Sequence, residues 1–375
     1  MVREELNQYL YTLIKKGGSD LHIKAGNGIR IRINGVLYKV EAPKQTREGV
    51  INLLKELLRS RFEELVQKKE IDFSYKLDEN YRFRANAFFQ VDGPSIVMRV
   101  IPNKIPTIDE MGYPPAIRKF TQTERGLVLV TGVTGSGKST TLASMINEIN
   151  ETKAKHIITI EDPVEFVHKD KKSLVNQRSL GEDTLSFSRA LRAALREDPD
   201  IILVGEMRDR ETMEIALHAA ETGHLVFSTL HTLDAKETLN RIIGIFPPEE
   251  QPRIRLVLGS VLEGIISQRL VPTIDGKRTA AMEIMIKTPR IKELILQNRD
   301  NEIKDALEDG KKVYGTQSFD QHLVDLVLKG VVDEKTAIEY ATSKDDFILK
   351  LRQEKRAAGI SDNVNDSKIP IKNIH

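Results

Sequence analysis

Residues 126–140 read GLVLVTGVTGSGKST, an apolar run followed by a glycine-rich loop, a lysine and two hydroxyl residues. Leu127 to Val130 has the length and branching of a buried strand. Gly132, Gly135 and Gly137 allow the loop to bend around a phosphate with its backbone N–H groups turned inward, and Thr134, Ser136 and Thr140 complete its wall. Lys138 brings a point charge to the β- and γ-phosphates, and Ser139 a hydroxyl for Mg²⁺. A helix expected from about Thr140 to Asn150 adds its positive dipole end. The eight-position pattern is met in full and a strand precedes it, so the chain is expected to bind ATP together with Mg²⁺.

Working outward, apolar segments at 127–131, 156–160, 201–204 and 225–229 fall at the spacing of alternating strands and helices. Helical patterns such as Phe187, Leu191, Ala194 and Leu195 lie between them, which describes a P-loop α/β core. From about residue 250 the strongest patterns are helical: Leu256–Ile266, Ile291–Leu296, Phe319–Leu328 and Glu334–Tyr340. On the other side, residues 102–116 carry four prolines and no period, the mark of a stiff extended linker. Before that linker Ile29, Ile31 and Ile33 alternate with polar residues, and Asn34-Gly35 is a type I′ hairpin signal. A helix near Glu48–Leu65 follows, then alternating segments at Tyr81–Phe89 and Ile96–Val100 around Asp92-Gly93-Pro94. The expected organisation is a small α+β domain over 1–101, a linker over 102–116, an α/β core with a helical C-terminal part over 117–361, and a frayed tail over 362–375.

A length of 375 residues suits two or three domains. Basic and acidic residues nearly cancel, for a net charge of +2, so no global field argues for nucleic acid or an anionic membrane. With no cysteine, a disulfide scaffold and a thiolate metal site are both excluded. The charged amphipathic start does not read as a signal peptide, and no apolar stretch approaches the roughly 20 residues that span a bilayer. A cytoplasmic location is expected, with any membrane link made through a partner.

Hydrolysis needs a carboxylate to position water and another group on the Mg²⁺ side. Two apolar strands end in acids: 157–160 runs into Glu161-Asp162-Pro163-Val164-Glu165, and 201–204 into Gly205-Glu206. Ligands gather at the carboxyl ends of strands in α/β sheets, but these residues alone leave open which acid is catalytic. His224 and His231 bracket the strand at 225–229; His231, at its carboxyl end, is placed to hydrogen-bond a γ-phosphate, and His224 less so. In Tyr81-Arg82-Phe83-Arg84 the arginines share one face of a strand. A two-residue turn at Asp92-Gly93 brings Arg99 onto that face, diagonal to Arg84. Planar arginine donors suit transition-state charge on a γ-phosphate.

These segments together resemble the secretion ATPase superfamily, and within it the pilus-retraction branch. ITIEDPVEF at 158–166 is similar to its Asp box, DPDIILVGEMRD at 198–209 to its Walker B segment and HLVFSTLHT at 224–232 to its His box. GGSDLHI at 17–23 and the stretch at 82–88 are similar to its PAS-like N-terminal domain; ISQRLVP at 266–272 and GTQSFDQHL at 315–323 match as well. The resemblance implies a RecA-like core and a homo-hexameric ring that hydrolyses ATP and moves its domains to retract a type IV pilus. It also implies an inner-membrane platform protein as partner, at the cytoplasmic face. By matching position it makes Glu165 the general base, Glu206 the acid on the Mg²⁺ side with Ser139, and Arg84 and Arg99 the arginines that reach the γ-phosphate. One departure is plain: the family's AIRNLIRE motif reads RIKELILQ at 290–297, with Leu296-Gln297 in place of its final Arg-Glu.

A pilus-extension or type II secretion ATPase is the nearest alternative. The short N-terminal region and the lack of cysteine favour retraction over it. A RecA-like nucleic-acid translocase is a rival of another class, against which stand the balanced charge and the lack of a DNA-binding motif. A nucleotide sensor that does not hydrolyse would need the acids to be inert.

Overall fold

The hairpin signal at Asn34-Gly35 is met by a two-residue turn, with φ of +47° and +84° at the two positions and Ile33 paired to Val36. The computed structural model in which it lies describes residues 2–102 and 104–359; the tail expected at 362–375 falls outside them. The described residues form two units, one running to Thr107 and including Leu142–Glu206, the other comprising Ile108–Thr141 and the residues from Met207 on.

In the first unit, β1 (Asp20–Lys24), β2 (Arg30–Ile33), β3 (Val36–Lys39), β4 (Glu70–Lys76), β5 (Arg82–Gln90) and β6 (Gly93–Ile101) form an antiparallel sheet in the order β3-β2-β1-β6-β5-β4. Helices Arg3–Lys15 and Arg47–Leu58 bury Leu6, Leu10, Leu13, Val50, Leu53, Leu54 and Leu58 in one core with Leu21, Ile23, Phe83, Ala85, Ile96 and Met98. Each large apolar side chain so buried is worth about 1.5–3 kcal/mol. Strand alternation then sends Asp20, Arg32, Arg84 and Arg99 to the opposite face of the sheet.

Two local expectations are corrected here. The helix expected over 48–65 stops at Leu58, turns through Arg59 at φ +51°, and resumes at Phe62–Lys68. The apolar stripe would have needed an apolar residue at 61; Arg61 instead bonds Glu64 and the carbonyl of Asp72. The second hairpin turns on Val91-Asp92, not Asp92-Gly93, because Gln90 pairs with Gly93. Arg99 therefore lies directly opposite Arg84 rather than diagonal to it.

Seven further strands follow: β7 (Gly126–Thr131), β8 (His156–Glu161), β9 (Leu174–Ser179), β10 (Ile201–Val204), β11 (Leu225–Leu230), β12 (Leu262–Pro272) and β13 (Arg278–Ile286). In the first unit β8 runs parallel between β10 and β9. In the second, β7 runs parallel between β11 and β12, and β13 pairs antiparallel with β12. β9 is not among the expected strands: after Leu174-Val175 it runs through four consecutive polar residues, of which only Ser179 is buried. Nor does Leu256–Ile266 form one helix: the helix Gln251–Val261 ends and Leu262 starts β12. The run Leu262–Ile266 suits either state, and the edge of β7 takes it as a strand. A Cβ on Gly264 would stand 2.2 Å from the Phe120 ring, so the chain passes there only as glycine. The helices Phe319–Leu328, Glu334–Tyr340 and Lys344–Ala357 pack with Val271 and Ala281 of that hairpin in a second apolar cluster.

Candidate functional site: a phosphate loop and its companions

β7 is buried along its whole length and delivers the chain to Gly132. Gly132 has φ +142°, and a Cβ there would come within 2.4 Å of the Gln268 carbonyl oxygen and 2.5 Å of Ser136 Oγ. Only glycine fits both the dihedral and the space. The loop closes with Ser136 N–H donating to Val133 O at 3.1 Å, and the helix Lys138–Thr152 leaves it, with Thr141 N–H donating to Gly137 O. Lys138 Nζ lies back across the loop, donating to the carbonyls of Gly132 at 2.8 Å and Val133 at 3.1 Å. The N–H groups of Gly135 and Gly137 donate to nothing among the described residues. Ser136 Oγ is buried without a partner. Thr134 and Gly135 stand exposed, while Ser139 and Thr140 are half-buried in the first helical turn. A concave loop with donors left over, a cation across it and a helix N-terminus behind it fits a polyphosphate. The Ser139 hydroxyl, on that first turn, fits the needs of Mg²⁺, an ion that keeps few protein ligands.

Gln268, on β12, locks this loop and escaped the sequence reading. Its Nε2 donates to Ser136 O at 2.6 Å and its Oε1 accepts from Thr141 Oγ1 at 2.9 Å, both inside the protein. Thr131 Oγ1 and Ser267 Oγ add a bond of 2.9 Å between the neighbouring strands. A single side chain thus ties the middle of the loop to the start of its helix. The segment 266–272 carried the signal, but only as a likeness; nothing in its spacing marks a clamp.

Beside the loop lies a cavity of about 330 Å³, walled by residues 132–136, Leu233, Leu270, Tyr340, Gln268 and Arg269. Its apolar side chains and its size suit a nucleoside. Arg269 is fixed over the Phe319 ring at 4.0 Å. Leu230 of β11 pairs with Thr131 of β7, so His231 leaves the sheet next to the start of the loop and is exposed. His224 stands at the other end of β11, half-buried, its Nδ1 3.0 Å from Ala219 O beside the end of the helix Arg210–Glu221.

The acids belong to the first unit. Gly205 N–H donates to Ile160 O at 2.7 Å, which brings the ends of β10 and β8 together. Glu161 is tied down: Thr159 Oγ1 donates to its Oε1 at 2.6 Å and Gln177 Nε2 at 3.2 Å. Burial raises its pKa, and the charge of Glu165 adds to that. Glu165, four residues on, is exposed. The intervening loop is pinned by β9, through Gln177 to Phe166 O and His168 N–H, and through Ser179 to Val164 N–H. Burial drives the His168 pKa down to about 4, so its ring is neutral. Glu206 ends the unit, half-buried.

Arg84 and Arg99 face each other on β5 and β6, also in the first unit. Arg84 makes no hydrogen bond or ion pair among the described residues, whereas Arg99 Nε donates to Asp20 Oδ1 at 2.7 Å. The phosphate loop and His231 thus sit in one unit, and Glu165, Glu206, Arg84 and Arg99 in the other. No cluster of three metal-ligating side chains occurs among the described residues.

The family model described as Type II/IV secretion system protein matches residues 1–360. The Pseudomonas aeruginosa type IV pilus retraction ATPase PilT is 47% identical over 347 residues, covering 92% of this chain and all of that protein. A twitching motility protein of Neisseria gonorrhoeae is 47% identical over 319 residues, covering 84% of this chain and 85% of its own length. A crystal structure of the pilus retraction motor PilT with bound ADP superposes with a TM-score of 0.84 at 44% identity, over 91% of this chain and 98% of that one.

Proposed function

The chain belongs to the type II/IV secretion system protein family, and from that premise we propose that it is the ATP-hydrolysing motor of type IV pilus retraction. The observation that carries this is the phosphate cradle at 132–141, set in a fold shared over nine-tenths of the chain with a retraction motor that holds ADP. Glu165 is the base in this reading. Glu161 is held by Thr159 and Gln177, whereas Glu165, like Asp162, faces solvent; matching position in the family favours Glu165 of the two. Its carboxylate takes a proton from water as the water oxygen bonds to the γ-phosphorus, and the bond to the bridging oxygen breaks to release ADP. Lys138 and the loop N–H groups hold the β- and γ-phosphates, His231 hydrogen-bonds the γ-phosphate, and Arg84 and Arg99 neutralise its developing charge. Ser139, with Glu206 on the same side, would hold Mg²⁺, which would supply further positive charge there.

Residues 1–101 then act as the moving domain, 102–116 as its tether and 117–361 as the RecA-like core. The working form is a homo-hexamer at the cytoplasmic face of the inner membrane, engaged with the pilus platform protein. No helix among the described residues is long and apolar enough to cross a membrane. The test is ATP turnover by the purified protein, measured with its mass in solution, and recovery of twitching in a retraction-deficient host. Absence of turnover in the assembled form refutes the motor, and salt-sensitive DNA affinity with DNA-stimulated turnover would favour a translocase.

A further inference from the structure

One row of cross-strand neighbours in the six-stranded sheet reads Arg32 on β2, Asp20 on β1, Arg99 on β6 and Arg84 on β5. Like charges directly opposite on adjacent strands repel, and this row holds three guanidiniums against one carboxylate. Asp20 is the buried member, with its side chain 4% exposed, while Arg99 is 69% exposed. The carboxylate has three polar neighbours within 4 Å, and His22 on the same strand adds a weaker electrostatic influence. Oδ1 accepts from Arg99 Nε at 2.7 Å, Oδ2 accepts from Ser19 Oγ at 2.7 Å, and Arg32 Nε stands 3.9 Å from Oδ2. Burial works to raise the carboxyl's pKa, but the bonds from Ser19 and Arg99 outweigh it and keep it ionised.

The atom used matters. Arg99 is held by Nε, the nitrogen nearest its stem, and both terminal nitrogens remain for another acceptor. A carboxylate gripping the terminal fork would compete with a phosphate; one gripping Nε fixes the direction of the fork and leaves it free.

We propose that Asp20 is a positioning residue for hydrolysis: it anchors Arg99 through Nε so that the terminal guanidinium nitrogens are presented beside Arg84 as a two-arginine clamp for the γ-phosphate. This rests on the assignment of Arg84 and Arg99 to that phosphate. The arrangement also explains why a buried carboxylate is kept among arginines: its charge offsets the repulsion between Arg99 and Arg84 until an anion arrives to bind both. Removal of Asp20 is expected to act on hydrolysis through Arg99.

The experiment is a double-mutant cycle on ATP turnover in the full-length protein, with Asp20→Ala, Arg99→Ala, the double variant and Asp20→Asn. Asp20→Ala is expected to lower kcat ten- to a hundredfold, because the arginine loses its preset direction, with KM for ATP within about twofold of wild type. Asp20→Asn keeps an oxygen acceptor for Nε and is expected to recover most of that loss. The double variant is expected to be no slower than Arg99→Ala alone. If Arg99→Ala leaves kcat intact, the arginine assignment itself fails. If Arg99→Ala is slow but Asp20→Ala is not, the assignment stands and the positioning role is refuted. Losses that multiply in the double variant, or a parallel fall in kcat and melting temperature that Asp20→Asn does not repair, make Asp20 a structural residue and also refute it.

Discussion

Replacing Gln268 by alanine isolates the contribution of the clamp on the phosphate loop. The side chain is 1% exposed and spends both ends of its amide. Ser136 O would lose its 2.6 Å donor and become a buried carbonyl without a partner, a cost of about 1–3 kcal/mol. Thr141 would lose less: its hydroxyl also lies 3.0 Å from Tyr113 Oη and can turn to it, so about 1 kcal/mol or below is expected there. The sum, about 1–4 kcal/mol, falls on the conformation of residues 132–141. Bound nucleotide must restore that conformation, so MgADP affinity is expected to fall by at least about fivefold and by up to about a thousandfold. Gln268→Glu sharpens the test. It can still accept from Thr141, but it sets a carboxylate oxygen against the Ser136 carbonyl and a negative charge beside the phosphates, so it is expected to bind more weakly than the alanine variant. Calorimetric titration with MgADP checks both. Unchanged affinity in Gln268→Ala would show that the loop holds its shape without the clamp, and an equal affinity in the two variants would refute the assigned donor.

Glu165→Gln is expected to bind ATP as wild type does and to lose 99% or more of turnover, roughly a 10²–10⁴-fold effect; normal turnover would return the base to one of the other acids. Lys138→Ala removes the charge on the loop and is expected to weaken ATP binding itself by at least about tenfold, read by equilibrium titration. Arg84→Ala is expected to depress kcat far more than affinity, and equal losses would make it a folding residue. Glu283 is buried with its pKa pushed up to about 7 by desolvation, although Ala235 N–H donates to its Oε1 at 2.8 Å. An acid raised on folding stabilises fully below its unfolded value, and that contribution is lost as pH rises toward 7. Glu283→Gln keeps the acceptor for Ala235. It should match wild-type stability near pH 4.5 and gain up to about 3 kcal/mol over it by pH 8, measured by denaturant melts at both pH values.

The parts of this molecule legible in the sequence are those where one local rule decides the outcome. Asn34-Gly35 dictates its turn, four apolar runs dictate β7, β8, β10 and β11, and the glycine spacing of 132–137 dictates a loop that no larger residue could follow. What was not legible depends on partners distant in the chain. The run at 262–266 becomes a strand only because β7 offers an edge. β9 is a polar segment made necessary by what it holds, since Gln177 and Ser179 pin the loop that presents Glu165. The same distinction runs through the candidate site. Lys138 and Ser139 are fixed by spacing, whereas Gln268 lies 132 residues beyond Ser136, and Asp20 lies 79 residues before Arg99. Both of the latter are side chains that hold another chemical group in place, and a group that acts by holding carries no signature of its own reaction. Register, on the other hand, can be decided by one residue: placing the turn at Val91-Asp92 instead of Asp92-Gly93 moves Arg99 from a diagonal to a direct neighbour of Arg84. Two guanidiniums in direct opposition repel each other and favour an anion between them, which suits the proposed grip on a phosphate better than the diagonal arrangement would.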